Sequence, residues 1–147
     1  MENVSSDDLA AITQARSALA DRLVTPWWYH PVLGLIIGAY IVALGLGGTL
    51  VRLIGLALYL GALLLLARAY QELTGVWANG LSQGPAKRWS VALGLSAAAG
   101  AGVSVAFGEL TGMTWPIWGL AAVMVVVTVI LGHRYDTALR AHLREPV

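Results

Sequence analysis

The 147-residue chain contains no cysteine. That removes disulfides, thiolate metal ligands and every thiol redox mechanism. Charge is almost as scarce. Asp, Glu, Lys and Arg together make up 12% of the residues, where an ordinary soluble domain has about a quarter. With 58% hydrophobic residues and a mean hydropathy of +0.72, the composition excludes a soluble globular domain and implies an integral membrane protein. No basic patch calls for nucleic acid. An N-terminal apolar leader is also missing: Met1 to Asp8 is acidic and polar, so the first transmembrane helix is expected to direct insertion.

Long apolar runs are what the chain does have. From Pro31 to Ala67, Arg52 is the sole charged residue. At about 1.5 Å per helical residue this stretch is too long for one crossing and suits two. The turn between them is expected at Gly45, Leu46, Gly47, Gly48 and Thr49. Two more crossings follow. The expected fold is all-α, a polytopic membrane protein with four transmembrane helices at about 31–48, 50–69, 89–107 and 115–133, arranged as two hairpins. They make up a transmembrane domain over 26–134, with a cytoplasmic tail over 135–147.

Ahead of that domain, residues 1–25 read as a cytoplasmic amphipathic helix. Ser5 and Ser6 can cap it, and Asp7 and Asp8 oppose the positive end of its dipole. Leu9, Ile12, Leu19 and Leu23 then fall on one stripe, with Gln14, Arg16, Asp21 and Arg22 as polar surface. Such a helix lies in the headgroup region or docks a partner. Between Pro26 and Pro31 the chain turns into the bilayer. Trp27, Trp28 and Tyr29 suit the membrane–water interface there, as do Trp89, Trp115 and Trp118 at the starts of the third and fourth helices. His30 within that motif reads either as part of an interface anchor or as a proton-responsive group. The motif itself offers it no second titratable partner.

Gly34, Gly38 and Gly45 form a small-residue face on the first helix. The third helix is rich in Gly, Ala and Ser, so it too is expected at a helix interface. Both surfaces serve either packing within one chain or assembly of a homo-oligomer. Tyr40 and Tyr59 fall near the middles of the first two helices, and their hydroxyls need acceptors in hydrocarbon, which points both inward as interhelical polar contacts. The segment from Thr74 to Arg88 is the longest loop, with a turn signal at Asn79 and Gly80.

Four crossings put both termini and this loop on one side of the membrane. That side carries Arg16, Arg22, Arg68, Lys87, Arg88, Arg134, Arg140 and Arg144; the other carries Arg52 alone. The positive-inside rule then makes the termini cytoplasmic, in the inner (plasma) membrane. Glu109 is the other charge on the outer side, and it either pairs with Arg52 or faces water while Arg52 snorkels to lipid phosphate.

No Asp, Glu, Lys, Arg or His falls in the middle of a span, which argues against a coupled transporter. No carboxylate cluster or nucleophile–base pairing stands out, so the reading includes no catalytic residue, no metal and no cofactor. Trp27 to Gly34, WWYHPVLG, with TGVWANG from Thr74 to Gly80, resembles a family of small uncharacterised four-helix membrane proteins of high-GC Gram-positive bacteria. The resemblance implies a membrane location and carries no activity. The expected function is a non-enzymatic scaffold or regulatory accessory subunit that meets a cytoplasmic protein partner. The alternative is a small permease or channel component with an interhelical site near Tyr40 and Tyr59.

Overall fold

The computed structural model describes residues 25–75 and 84–144, together with positions 11, 12, 14 and 18. Most of the expected N-terminal amphipathic helix and the turn at Asn79 and Gly80 lie outside the described residues. Among the described residues there are four long helices: α1 (Tyr29–Leu46), α2 (Thr49–Thr74), α3 (Lys87–Ala106) and α4 (Trp115–Arg144). A π-helical turn, Phe107–Thr111, extends α3. There is no strand among the described residues. Each helix, α3 counted with its π turn, is long and apolar enough to cross a membrane.

Several boundaries differ from those read off the sequence. α1 starts at Tyr29 and takes in Pro31. A first-turn residue has no intrahelical acceptor for its N–H, so a proline there costs nothing. Tyr29 N–H bonds back to the Pro26 carbonyl at 3.0 Å, and Val32 N–H to that of Trp28 at 3.0 Å. The turn into α2 is only Gly47 and Gly48, because Gly45 and Leu46 remain helical. α2 runs to Thr74, and Gly75 stops it in the left-handed conformation (φ 66°) with its N–H on the Gln71 carbonyl. This is the usual glycine C-terminus of a helix. At the other end of the chain the polar C-terminal residues prolong α4 to Arg144.

α1 is the axis of the molecule. It packs on α2, α3 and α4, while α3 also packs on α4 and α2 rests on α1 alone among the substantial helix pairs. The glycine face explains the closest of these contacts. A Cβ on Gly34 would lie 3.1 Å from the Val125 backbone, and one on Gly38 would lie 3.3 Å from the Ala121 carbonyl. A Cβ on Gly45 would overlap Ile117 and the Ser104 hydroxyl. Rising numbers on α1 meet falling numbers on α4, so the two run antiparallel with backbones in near contact, as small-residue faces permit.

Around this seam Ile37, Ile41, Ala121 and Met124 form the buried cluster, with Leu33, Val42, Tyr59, Leu93, Ala97 and Leu120 packed against it. Hydroxyls inside it are satisfied by backbone. Ser104 donates to the Ile41 carbonyl at 2.7 Å, tying α3 to α1, and Thr128 donates to the Met124 carbonyl one turn back at 2.7 Å. Both are fully buried. In hydrocarbon no water could replace those acceptors.

Candidate functional site

The polar structure gathers at one end of the bundle. His30, the second residue of α1, is buried, and its Nε2 lies 2.8 Å from Asp136 Oδ2 on α4. Gly132, one turn before Asp136, makes room for this: a Cβ there would run into the imidazole. The His133 ring is 5.2 Å from that of His30, centre to centre. Among the described residues, His30 Nδ1 has no hydrogen-bond partner. The arrangement suits the tautomer in which Nε2–H donates to the carboxylate and Nδ1 keeps a lone pair, since a second N–H would be a buried donor without an acceptor.

A cavity of about 230 Å³ opens beside this pair and is lined from all four helices. Tyr29 comes from α1, Tyr70 and Gln71 from α2, Trp89 and Ser90 from α3, and Tyr135 and Asp136 from α4. The Tyr29 and Tyr70 rings are 5.0 Å apart, and the Tyr70 hydroxyl is hydrogen-bonded to the Thr25 side chain. Leu33, Leu93 and Leu131 line the part of the cavity nearer the middle of the spans. A second cavity adjoins the first through Thr25, His30 and Asp136, and Trp27, His133 and Arg140 line it. The guanidiniums of Arg88 and Arg134 sit 5.2 and 6.0 Å from the centre of the Trp89 ring.

Of the aromatic residues expected at the interfaces, Trp27, Trp115 and Trp118 are exposed and Trp28 is half-buried. Tyr29 and Trp89 line the cavity instead of a plain surface. Tyr40 and Tyr59 meet as stacked rings, 4.7 Å apart and inclined by 17°. They fill the space between α1 and α2, well away from the cavity. At the opposite end of the bundle Arg52 donates from Nε to the Leu44 carbonyl at 2.9 Å and from a terminal nitrogen to Glu109 Oε1 at 2.7 Å. Glu109 stands on the π turn, where the backbone of Gly108 packs against the Gly45 carbonyl.

Asp136 is the residue that sequence reasoning missed. It stands 106 positions from His30, and the only local signal is Gly132 one helical turn before it, a small residue followed by a carboxylate on the same face. Among the described residues no group of three or more His, Cys, Asp or Glu is gathered as a metal site.

Four helices of this length and apolar character, packed around one buried seam, define a multi-pass helical membrane protein. No family model, curated protein or solved structure matches the chain.

Proposed function

We propose that this is a non-enzymatic integral membrane protein that acts through its His30–Asp136 end, as a scaffold or regulatory accessory subunit for a cytoplasmic protein. The observation that carries the reading is the asymmetry between the two ends. Among the described residues, His30, Asp136, three tyrosines and the two cavities described above lie at one end, and the other carries the Arg52–Glu109 ion pair and a short turn. Eight of the nine Lys and Arg residues fall on the side assigned to the first end, Arg52 being the exception. In this reading the helices form two hairpins, the termini are cytoplasmic, the membrane is the inner (plasma) membrane, and residues 1–25 form an amphipathic helix on its inner face. Trp27, Trp28, Trp115 and Trp118 then anchor the two interfaces. The likeness to four-helix membrane proteins of high-GC Gram-positive bacteria belongs to the same proposal.

Two experiments test it. Because there is no native cysteine, a single cysteine at Asn79 should be labelled by an impermeant maleimide only from the cytoplasm and one at Thr111 only from outside. Labelling of both from one side sinks the topology. Capture from mild detergent should then return one soluble protein in stoichiometric amount, and charge reversal at Arg134 and Arg140 should abolish its capture. A second reading, a small permease or channel component, draws on the cavity lined from all four helices. Solute flux through liposomes holding the purified chain, with no recurrent soluble partner, would favour it over the first.

A further inference from the structure

We propose that the cavity beside Asp136 binds a lipophilic organic monocation, an ammonium group on an apolar body, taken up from the bilayer. The inference goes beyond the partner reading and rests on the cavity alone, so the purified chain tests it whatever the fate of that reading.

Charge selects the class. Among the described residues, Asp136 and His30 are the only Asp, Glu, Lys, Arg or His in the cavity wall, and the Asp136 side chain is only 18% exposed. His30 occupies one carboxylate oxygen, and the second is left for a ligand. An anion placed here would meet a poorly solvated carboxylate, which is costly, whereas a cation would be attracted to it. Among the described residues no Lys or Arg lines this cavity. Arg88 and Arg134 are exposed and ride on Trp89, where water screens them. Arg140 and His133 line the adjoining cavity, which Asp136 also borders, and Arg140 acts electrostatically on Tyr70 without lining the first cavity itself.

Aromatic residues strengthen the preference. Tyr29, Tyr70 and Tyr135 line the same cavity as the carboxylate, and the negative faces of such rings hold ammonium ions well when water is excluded. The apolar side of the cavity matches the other half of the ligand. Leu33 is one turn deeper than His30 on α1, Leu131 is just over one turn deeper than Asp136 on α4, and Leu93 lies a turn beyond Trp89 on α3. A cationic amphiphile in a bilayer keeps its charge at the headgroups and its body among the acyl chains, so it arrives already aligned with this gradient. The way in is lateral. Ala67, Tyr70 and Gln71 of α2 stand across the cavity from Trp89, Ser90 and Leu93 of α3. Among the described residues those two helices do not pack substantially on each other, so the proposed lateral route runs between them.

Three probes share one skeleton and differ in charge: 4-phenylbutylammonium, 4-phenylbutanol and 4-phenylbutyrate. They would be titrated calorimetrically into the full chain in nanodiscs of zwitterionic lipid, with empty discs subtracted. The ammonium should saturate at one per chain and bind about tenfold tighter than the alcohol, while the carboxylate shows no saturable binding. Asp136→Asn should bring the ammonium down to the level of the alcohol and leave the alcohol unchanged. Equal binding of all three, tightest binding of the carboxylate, or no saturable binding of the ammonium would each overturn the proposal. Retention of ammonium affinity in a folded Asp136→Asn protein would do so too. Should that variant fail to fold, the wild-type order of the three probes still decides.

Discussion

α1 and α2 are consecutive, both apolar, and separated by two glycines, yet they occupy opposite environments. α2 is the more hydropathic, but only 6% of its span is buried, against 33% for α1. Leu66 is the single buried residue of α2, whose outer faces are covered with exposed leucines such as Leu50, Leu58 and Leu65. α1 buries Gly34, Gly38 and Gly45. In a bilayer, lipid tails solvate leucine as well as another helix does, so a leucine gains little by being buried. A glycine gains by letting a neighbouring backbone approach, and only a helix can supply that backbone. Between these two helices, burial therefore follows small residues more closely than apolar ones.

The sharpest way to break the comparison is to put the same side chain on both helices. At Gly45 a new side chain would collide with Ile117 and Ser104, whereas at Gly61 nothing lies within 4 Å. Gly45→Leu should cost about 3 kcal/mol or prevent assembly, because Ile117 and Ser104 are fully buried and Ser104 is held on the Ile41 carbonyl, so neither can move aside without disturbing the core. Gly61→Leu should be neutral, or stabilise by up to about 1 kcal/mol through helix propensity. Thermal unfolding in detergent reads both, and equal loss in the two variants would mean that α2 is packed against something along its outer face.

A smaller loss is expected at His30, where α1 meets α4. His30→Leu removes a hydrogen bond to a carboxylate that is itself largely buried, which costs about 1.5–3 kcal/mol. Gly132 then faces a side chain of another shape, so the double variant His30→Leu, Gly132→Ala should not be additive if the ring sits on that glycine as its geometry requires. Smaller again is Ser104→Ala, which deletes the α3 to α1 hydrogen bond to Ile41. An interhelical bond of this kind is worth about 0.6 kcal/mol on average in membranes, with about 1.7 as the upper end.

These ranks also mark what could be read from the chain. The four spans follow from apolar runs broken by Gly, Pro and charge. The glycine spacing on α1 identified a packing face without identifying its partner, since Ala121 and Val125 look like ordinary residues of an apolar helix. Tyr40 and Tyr59 could be placed at similar depth because each sits near mid-span on helices joined by a tight turn, and their rings do meet. The long reach of α2 into lipid was hidden, because a leucine that faces lipid and one that faces a core are the same letter. His30 and Asp136 were hidden for a different reason. Their pairing depends on the antiparallel register of α1 and α4, which is fixed by the glycine seam and is not a property of either segment.

The pair at the opposite end is the smallest effect and the most direct probe of that register. Arg52 begins α2 and Glu109 lies on the π turn, so their contact ties the weakly held helix to the α3 end of the core. Their side chains are 26% and 59% exposed, and at such exposure solvent screening limits a pair to about 0–1 kcal/mol. Arg52 has a second role, since its Nε holds the Leu44 carbonyl. Arg52→Gln should therefore cost more than Glu109→Gln, and the two losses should sum to more than the double variant loses, by the coupling energy of the pair alone. That coupling should shrink as ionic strength rises, while the excess cost of Arg52→Gln, which reflects a bond to backbone, should not. Strict additivity at low salt would show that Arg52 and Glu109 do not hold each other, leaving α2 tied to α1 by packing and the Arg52–Leu44 bond.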